Sequence, residues 1–384
     1  MSDSGKYKGI KVIVAPDSYK GCISSMEVAH WMALGVEDAL PGATVIRIPV
    51  ADGGEGTAGI IGAALGMSKV VCATVDPLGR DIESCYYMNG DLCVADVASA
   101  GGIGLLKPEE YSPLVADSYG TGKILRDAFD RGCREIYLGL GGSATVDGGV
   151  GLARAFGVRF SDAGGREALR LCDVYSIDFS GMSGFPEDAR IRLMADVVSP
   201  LTGPRGAAAV FGPQKGASVG DVRVLDSALS RLASLAGGDA QAEGTGAAGG
   251  IGFMMKVLAQ RAGADAAIVS GAKCVLDLVG FDTVVKGATL VLTGEGHSEL
   301  QTLLGKIPAE VLSRSLKAGA TVALLSGGVD NRAELMAAGF SIIRSIHPPG
   351  FNPAESMQPD VTRCHLRQTA CSVSLSVVSG MQHG

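Results

Sequence analysis

The residues able to do chemistry gather in glycine-bearing loops. APDSYKG (15–21) offers Asp17, Ser18 and Lys20, PVADGGEGT (49–57) offers Asp52 and Glu55, and TGEGHSELQT (293–302) offers Glu295 and His297. Lys306 follows shortly after, and SGGVDN (326–331) and SIHPPG (345–350) complete the set. A carboxylate can accept a proton or hold a metal ion, and a lysine attracts an anion. Glycine lets backbone amides come close to a ligand, although tight turns use it equally. The pattern predicts a small-molecule site of an enzyme.

Each of these loops ends a short apolar run, at 10–15, 45–50, 289–293, 322–326 and 341–345. Val/Ile/Leu runs that stop at glycines read as buried parallel strands. In open α/β sheets, ligands bind outside the carboxyl ends of such strands. Between the first two runs, 24–40 has a serine N-cap and apolar Val28, Trp31, Met32 and Val36 on one face, and Pro41 and Gly42 stop it. The strand–helix alternation breaks after about residue 66 and resumes near 286. The five strands predict a doubly wound unit in the order 2-1-3-4-5, built from 1–66 plus 286–384. Residues 67–285 then form an inserted second α/β domain. It opens with three adjacent strand-like segments (69–75, 82–88, 92–98), which predicts a mixed or antiparallel sheet.

Composition bounds the function. The chain has 384 residues, 47% hydrophobic and 19% charged, and no apolar run near the ~18 needed to cross a bilayer. The opening MSDSGKYKG has no apolar core, so no signal peptide is expected. The net charge of −7 and the lack of basic runs argue against nucleic acid or an anionic membrane as partner. Local donors must therefore attract any anionic substrate. Nine cysteines without a CxxC read as reduced thiols of a cytoplasmic protein. Five histidines without HxH or HExxH make a zinc site improbable, and no G-x-S-x-G elbow is present.

The inserted region carries further polar glycine loops. They are DPLGR (76–80) with Arg80, DSYGTGK (117–123), GLGGSATVDGG (139–149), and a long stretch (195–217) holding Asp196 and Lys215. GLGGSA formally satisfies the dinucleotide fingerprint, but no second strand ending in an acid follows at the required distance. No G-x-x-x-x-G-K-[ST] occurs, which removes P-loop chemistry.

APDSYKG, ADGGEGT, DPLGR, YGTG, GGSATVDGG, GAAAVFGPQKGA and TGEG…QT..GK occur here in one order. This ordered set resembles the bacterial glycerate kinase family, two-domain enzymes that phosphorylate D-glycerate with ATP and are unrelated to P-loop kinases. The resemblance runs from about residue 9 to 375. It implies a discontinuous flavodoxin-like domain with a second α/β domain inserted, an active site in the cleft between them, ATP and Mg2+ as cofactors, and the 2-phosphate as product. The late motif departs from the family's usual GEGRxDxQT: His297 stands at the basic position and Glu299 at the acidic one.

Phosphoryl transfer needs cations on the phosphates, a magnesium ion and a carboxylate to take the hydroxyl proton. Under the resemblance, Asp196 is the first choice for the base, with Lys20 as electrostatic partner and Glu295 beside them. Asp17, Ser18, Asp52, Glu55, Arg80 and Lys306 are expected to bind substrate. Gly141, Gly142, Ser143, Thr145, Asp147 and Lys215 are expected to hold the nucleotide phosphates; no metal ligand is assigned. Two other readings stay open: a nicotinamide-dependent dehydrogenase resting on GLGGSA, and a non-catalytic protein that binds small anions.

Overall fold

The structure is a computed structural model describing residues 6–348 and 350–381. The chain divides into two compact units, one of Met1–Asp52 with Ala272–Gly384 and one of Gly53–Gly271. Strands β1 (Lys11–Val14) and β2 (Thr44–Arg47) open the first unit. The second unit carries β3 (Ser68–Val75), β4 (Asp81–Asn89), β5 (Leu92–Asp96), β6 (Glu135–Gly139), β7 (Arg159–Ser161), β8 (Ser176–Asp178), β9 (Arg190–Met194) and β10 (Asp265–Val269). The first unit then resumes with β11 (Leu290–Thr293), β12 (His297–Ser298), β13 (Thr321–Ser326), β14 (Gly328–Val329) and β15 (Ile342–Ser345).

In the first unit the main sheet has the order β15-β13-β11-β1-β2, and every neighbouring pair is parallel. All four residues of β11 are buried, as are five of the six in β13. Strands covered on both faces must be apolar throughout, which is why these runs lack polar alternation. The helix Ser25–Ala39 packs on the helix Pro359–Met381 over one face of this core, burying Val28, Met32 and Val36 with Leu366 and Val373. Its start is fixed by a capping box, in which Glu27 N–H donates to Ser24 Oγ and Ser24 N–H donates to Glu27 Oε2. Arg367 clamps the helix pair with two bonds to Asp38, at 2.6 and 2.9 Å.

The second unit is built on a six-stranded sheet, β10-β9-β6-β5-β4-β3. Strands β3, β4 and β5 pair antiparallel, and β5, β6, β9 and β10 pair parallel, so the sheet is mixed. DPLGR is the β3–β4 turn: Asp76 accepts from the amides of Leu78 and Arg80 and from Arg80 Nε. The helix Thr57–Ala64 lies on this sheet, with Gly62 against the Tyr87 ring. Residues 53–66 therefore pack with the chain that follows them. At the other end, Arg314 of the helix Ile307–Lys317 donates to Asp277, so the stretch after 271 packs with the first unit.

After GLGGSA the helix begins only at Val150, and β7, the next strand, pairs with β8 alone. A dinucleotide site needs the glycine turn to open directly into a helix that returns to a neighbouring parallel strand. The GLGGSA match thus lacks its structural context, and the dehydrogenase reading falls with it. The nine cysteines are free thiols. No helix among the described residues is long and apolar enough to cross a membrane.

Gly35 marks where the two packed helices touch, because a Cβ there would overlap the carbonyl of Arg367. Gly→Ala inside a helix ordinarily stabilises by about 1 kcal/mol. Here we expect Gly35→Ala to destabilise the first unit by roughly 1–3 kcal/mol, because the helices must separate. Trp31, the one tryptophan, lies in the same helix and reports that unit's urea transition by fluorescence. An unchanged or higher midpoint would show that the pair can shift without cost.

Candidate active site

The first unit's site starts from backbone pairing at the ends of β1 and β11. Ala15 N–H donates to Leu292 O and Asp17 N–H to Gly294 O, which lays the 15–21 loop beside the 294–296 loop. A cavity of about 920 Å³ opens there, lined by Asp17, Ser18, Lys20, Asp52, Glu295 and Lys306, and also by Arg332 and His347. Six of the expected site residues, drawn from three separate stretches of chain, thus share one cavity.

Their electrostatics are uneven. Lys20 Nζ lies 3.6 Å from Asp52 Oδ2, and Asp52 raises the lysine pKa. Asp17 is buried, and burial together with the nearby Asp52 charge pushes its pKa up to about 7, against the opposing Ser18 amide and Lys20. Glu295 is also buried, but its oxygens are engaged. Oε1 accepts from Thr302 Oγ1 at 2.5 Å and Ser298 Oγ at 3.1 Å, and Oε2 lies 3.7 Å from Lys306 Nζ. His297, at the position where the family usually has a basic residue, pairs through Nε2 with Asp330 at 3.0 Å.

The remaining expected residues lie in the second unit. Gly53 has φ +86°, and a Cβ there would sit 2.8 Å from Met194 O. This close approach lets Gly141 N–H donate to Gly53 O at 3.0 Å, setting the 139–145 loop against the 53–56 loop. Glu55 is exposed there, beside Gly142. Lys215 is buried, and its ammonium donates to Ser143 Oγ and Thr145 O, both at 2.7 Å. Burial drives its pKa down to about 7, opposed by the Asp147 charge. Ser143 Oγ accepts that bond and keeps its own proton to donate.

Three expected residues are occupied within the second unit. Asp147 accepts from Ser118 N–H and Oγ–H and from the amides of Gly149 and Gly151, so it knots the loop together. Asp196 Oδ1 accepts from Gly271 N–H at 2.9 Å, where the helix Gly271–Leu278 begins. Arg80 binds Asp76 and Glu110. Asp96 was not singled out from the sequence. It is buried at the end of β5, pushed up to about 7 by burial, and accepts from the amides of Gly56 and Ala58. A carboxylate closing the apolar run LCVAD is the signal that could have found it. His347 lies in the SIHPPG loop already noted and Arg332 one residue past SGGVDN, neither with motif neighbours to select it.

Among the described residues, no three His, Cys, Asp or Glu converge as a metal cage. Magnesium in phosphoryl-transfer sites takes one or two carboxylates plus substrate phosphates, so the hard oxygens of this cavity suit it in type.

A parallel α/β unit with cations and carboxylates around one cavity fits a class, enzymes acting on small anionic molecules. The comparisons with known proteins narrow it. Residues 12–377 match the model of the family described as "Glycerate kinase family". The chain is 34% identical to "Glycerate kinase" of Bacillus subtilis (strain 168) over 384 residues, covering 96% of this chain and 98% of that one. It is 36% identical to "Glycerate 2-kinase" of Escherichia coli (strain K12) over 320 residues, covering 80% and 82%. A crystal structure of a putative glycerate kinase 2 from Salmonella typhimurium LT2 superposes with a TM-score of 0.81 at 34% identity, covering 97% and 99%. The chain belongs to the glycerate kinase family and is a phosphotransferase.

Two titrations test this electrostatic picture. Asp52→Asn should lower the Asp17 pKa from about 7, because a like charge is removed; carboxyl carbon NMR reads it, and an unmoved or raised value would refute the coupling. For Lys215, the folded pKa of about 7 lies below the ~10.4 of an unfolded lysine, so between them the unfolded state binds more protons. Stability contributed at this site therefore rises with pH across that window. Urea unfolding at pH 7 and pH 10 should show wild type gaining on Lys215→Met by on the order of 1–4 kcal/mol. A pH-independent difference would mean the lysine is not held in an apolar site.

Proposed function

We propose that this protein transfers the γ-phosphoryl group of ATP to D-glycerate, at the 2-hydroxyl, with Mg2+. The observation that carries this is the shared cavity of Asp17, Ser18, Lys20, Asp52, Glu295 and Lys306 in a chain of this family. Its lysines would hold the glycerate carboxylate and balance developing charge, while Glu295 keeps Lys306 in place. Asp17 would take the hydroxyl proton: it is buried, lines the cavity and lies in the same loop as Lys20. We favour it over Asp196, whose carboxylate already accepts the Gly271 amide.

In the second unit, Gly141, Gly142, Ser143 and Thr145 offer amides and hydroxyls for the ATP phosphates, with Lys215 supplying charge from behind. Mg2+ would be held by those phosphates and Asp52, and would neutralise charge on the transferred group. We read the two units as a flavodoxin-like domain and its insert. The chemistry would run in a cleft that closes on both substrates, as exclusion of water from a kinase requires. The free thiols agree with a cytoplasmic location.

A coupled ADP assay across small hydroxy acids tests the activity, and phosphorus NMR of the product tests the position. Glycerate bound without turnover would instead make this a binding protein, and a 3-phosphate product would refute the 2-hydroxyl assignment. Asp17→Asn should lower kcat by roughly 10²–10⁴ with little change in KM, whereas Asp196→Asn should stay within about tenfold of wild type. The opposite ordering would make Asp196 the base.

A further inference from the structure

His347 lines the first-unit cavity and is not part of any motif that brought the family to light. Its loop, which follows β15, is tied down locally. Its amide donates to Ser345 Oγ at 3.3 Å, and its carbonyl accepts from that hydroxyl at 2.9 Å. The imidazole stacks on Phe351, with centroids 5.2 Å apart and planes 8° apart. The edge of His365, from the helix Pro359–Met381, closes the third side. His347 Nδ1 and His365 Nδ1 are 2.9 Å apart.

A hydrogen bond between two Nδ1 atoms constrains the tautomers. A neutral imidazole carries one N–H and one lone pair, so one ring must donate and the other accept. If His365 donates, His347 has its lone pair on Nδ1 and its proton on Nε2. That Nε2 has no partner among the described residues. Burial, reinforced by His365, holds the His347 pKa below the ordinary imidazole value, so the ring stays neutral at pH 7 and above.

The cavity already contains the cations Lys20, Lys306 and Arg332. A fourth charge would add repulsion, while a neutral N–H adds direction without it. We propose that His365 is a positioning residue that locks His347 as its Nε2–H tautomer, making His347 a neutral hydrogen-bond donor to the carboxylate of the hydroxy acid in this cavity. The ligand assignment rests on reading the cavity as the glycerate site.

The test uses the full chain, with kinetics and nitrogen-15 histidine NMR at pH 8. His347→Phe should raise KM for glycerate about tenfold or more, since a bond to a charged group is lost, with KM for ATP unchanged. His365→Phe should raise it severalfold, and His365→Asn should restore it, because the amide NH2 can donate to His347 Nδ1. The His347 signals should show an Nε2-protonated ring in wild type and His365→Asn and a tautomer mixture in His365→Phe, and added glycerate should shift the Nε2 resonance. An Nδ1-protonated His347 in wild type would overturn the proposal. So would a glycerate KM within twofold of wild type in His347→Phe. If wild type does not turn glycerate over, the functional reading fails by itself. The tautomer and the glycerate-induced shift then decide the inference separately: an Nε2-protonated ring that shifts supports it, and a ring that does not respond refutes it.

Discussion

The first unit's cavity depends on one buried carboxylate. Glu295 carries acceptors only, and such a group inside a protein costs several kcal/mol unless donors reach it. Thr302 and Ser298 supply hydroxyl bonds to Oε1, and Lys306 stands against Oε2. Ser298 is itself bonded to Ser326, at the end of β13, and Thr302 Oγ1 accepts from the Glu299 amide. Satisfying one carboxylate therefore draws together the loops after β11 and β13 and the entry to the helix Ile307–Lys317. The glycine before Glu295 follows from close packing: a Cβ at Gly294 would overlap the carbonyl of Leu325, so the backbone passes against β13 and the carboxylate is left as the hub.

The unit's remaining carboxylates face a different balance. Asp17 is buried with one amide donor and a neighbouring carboxylate, so its charge is poorly compensated and its pKa rises to about 7. Asp52 pairs with the mostly exposed Lys20, where solvent screens both charges. Similar loop positions thus give one carboxyl poised near neutral pH, one solvated partner of a lysine, and one fixed structural hub. That division of labour suits a proton acceptor, a counter-ion and a positioning group.

Much of this was legible in the sequence because parallel strands announce themselves. The central residues of strands β1, β11 and β13 are buried, so each strand carries a short apolar run, and glycine follows directly on β11 and β13. The loops were therefore found with their residues. What each residue does in its loop was not legible, since it turns on contacts distant in sequence. Asp147 looked like Asp17, yet four internal donors occupy it. Arg80 looked available, yet its turn and Glu110 hold it. Asp96 and the His347–His365 pair depend on partners 38 to 40 and 18 positions away, beyond any local pattern.

The GLGGSA loop shows how one string can serve different physics. In a dinucleotide site the glycines let a helix N-terminus meet a pyrophosphate. In this chain Gly139 and Gly141 serve contact between backbones, since a Cβ at either would strike the 53–54 loop. Asp147 then takes the amides of Gly149 and Gly151, where the helix Val150–Ala155 opens beyond the loop. With no helix dipole delivered to the loop, an anion there depends on another source of positive charge. Lys215 is the group in place, behind Ser143 and Thr145, and its burial makes the charge conditional: a lysine near pKa 7 is only partly protonated until an anion arrives to favour the ammonium. Any anion that bound this loop would be coupled to protonation of Lys215, so its affinity would fall as pH rises past neutrality; a proton acceptor at Asp17, with its pKa also near 7, would have the opposite dependence, being competent only once ionised.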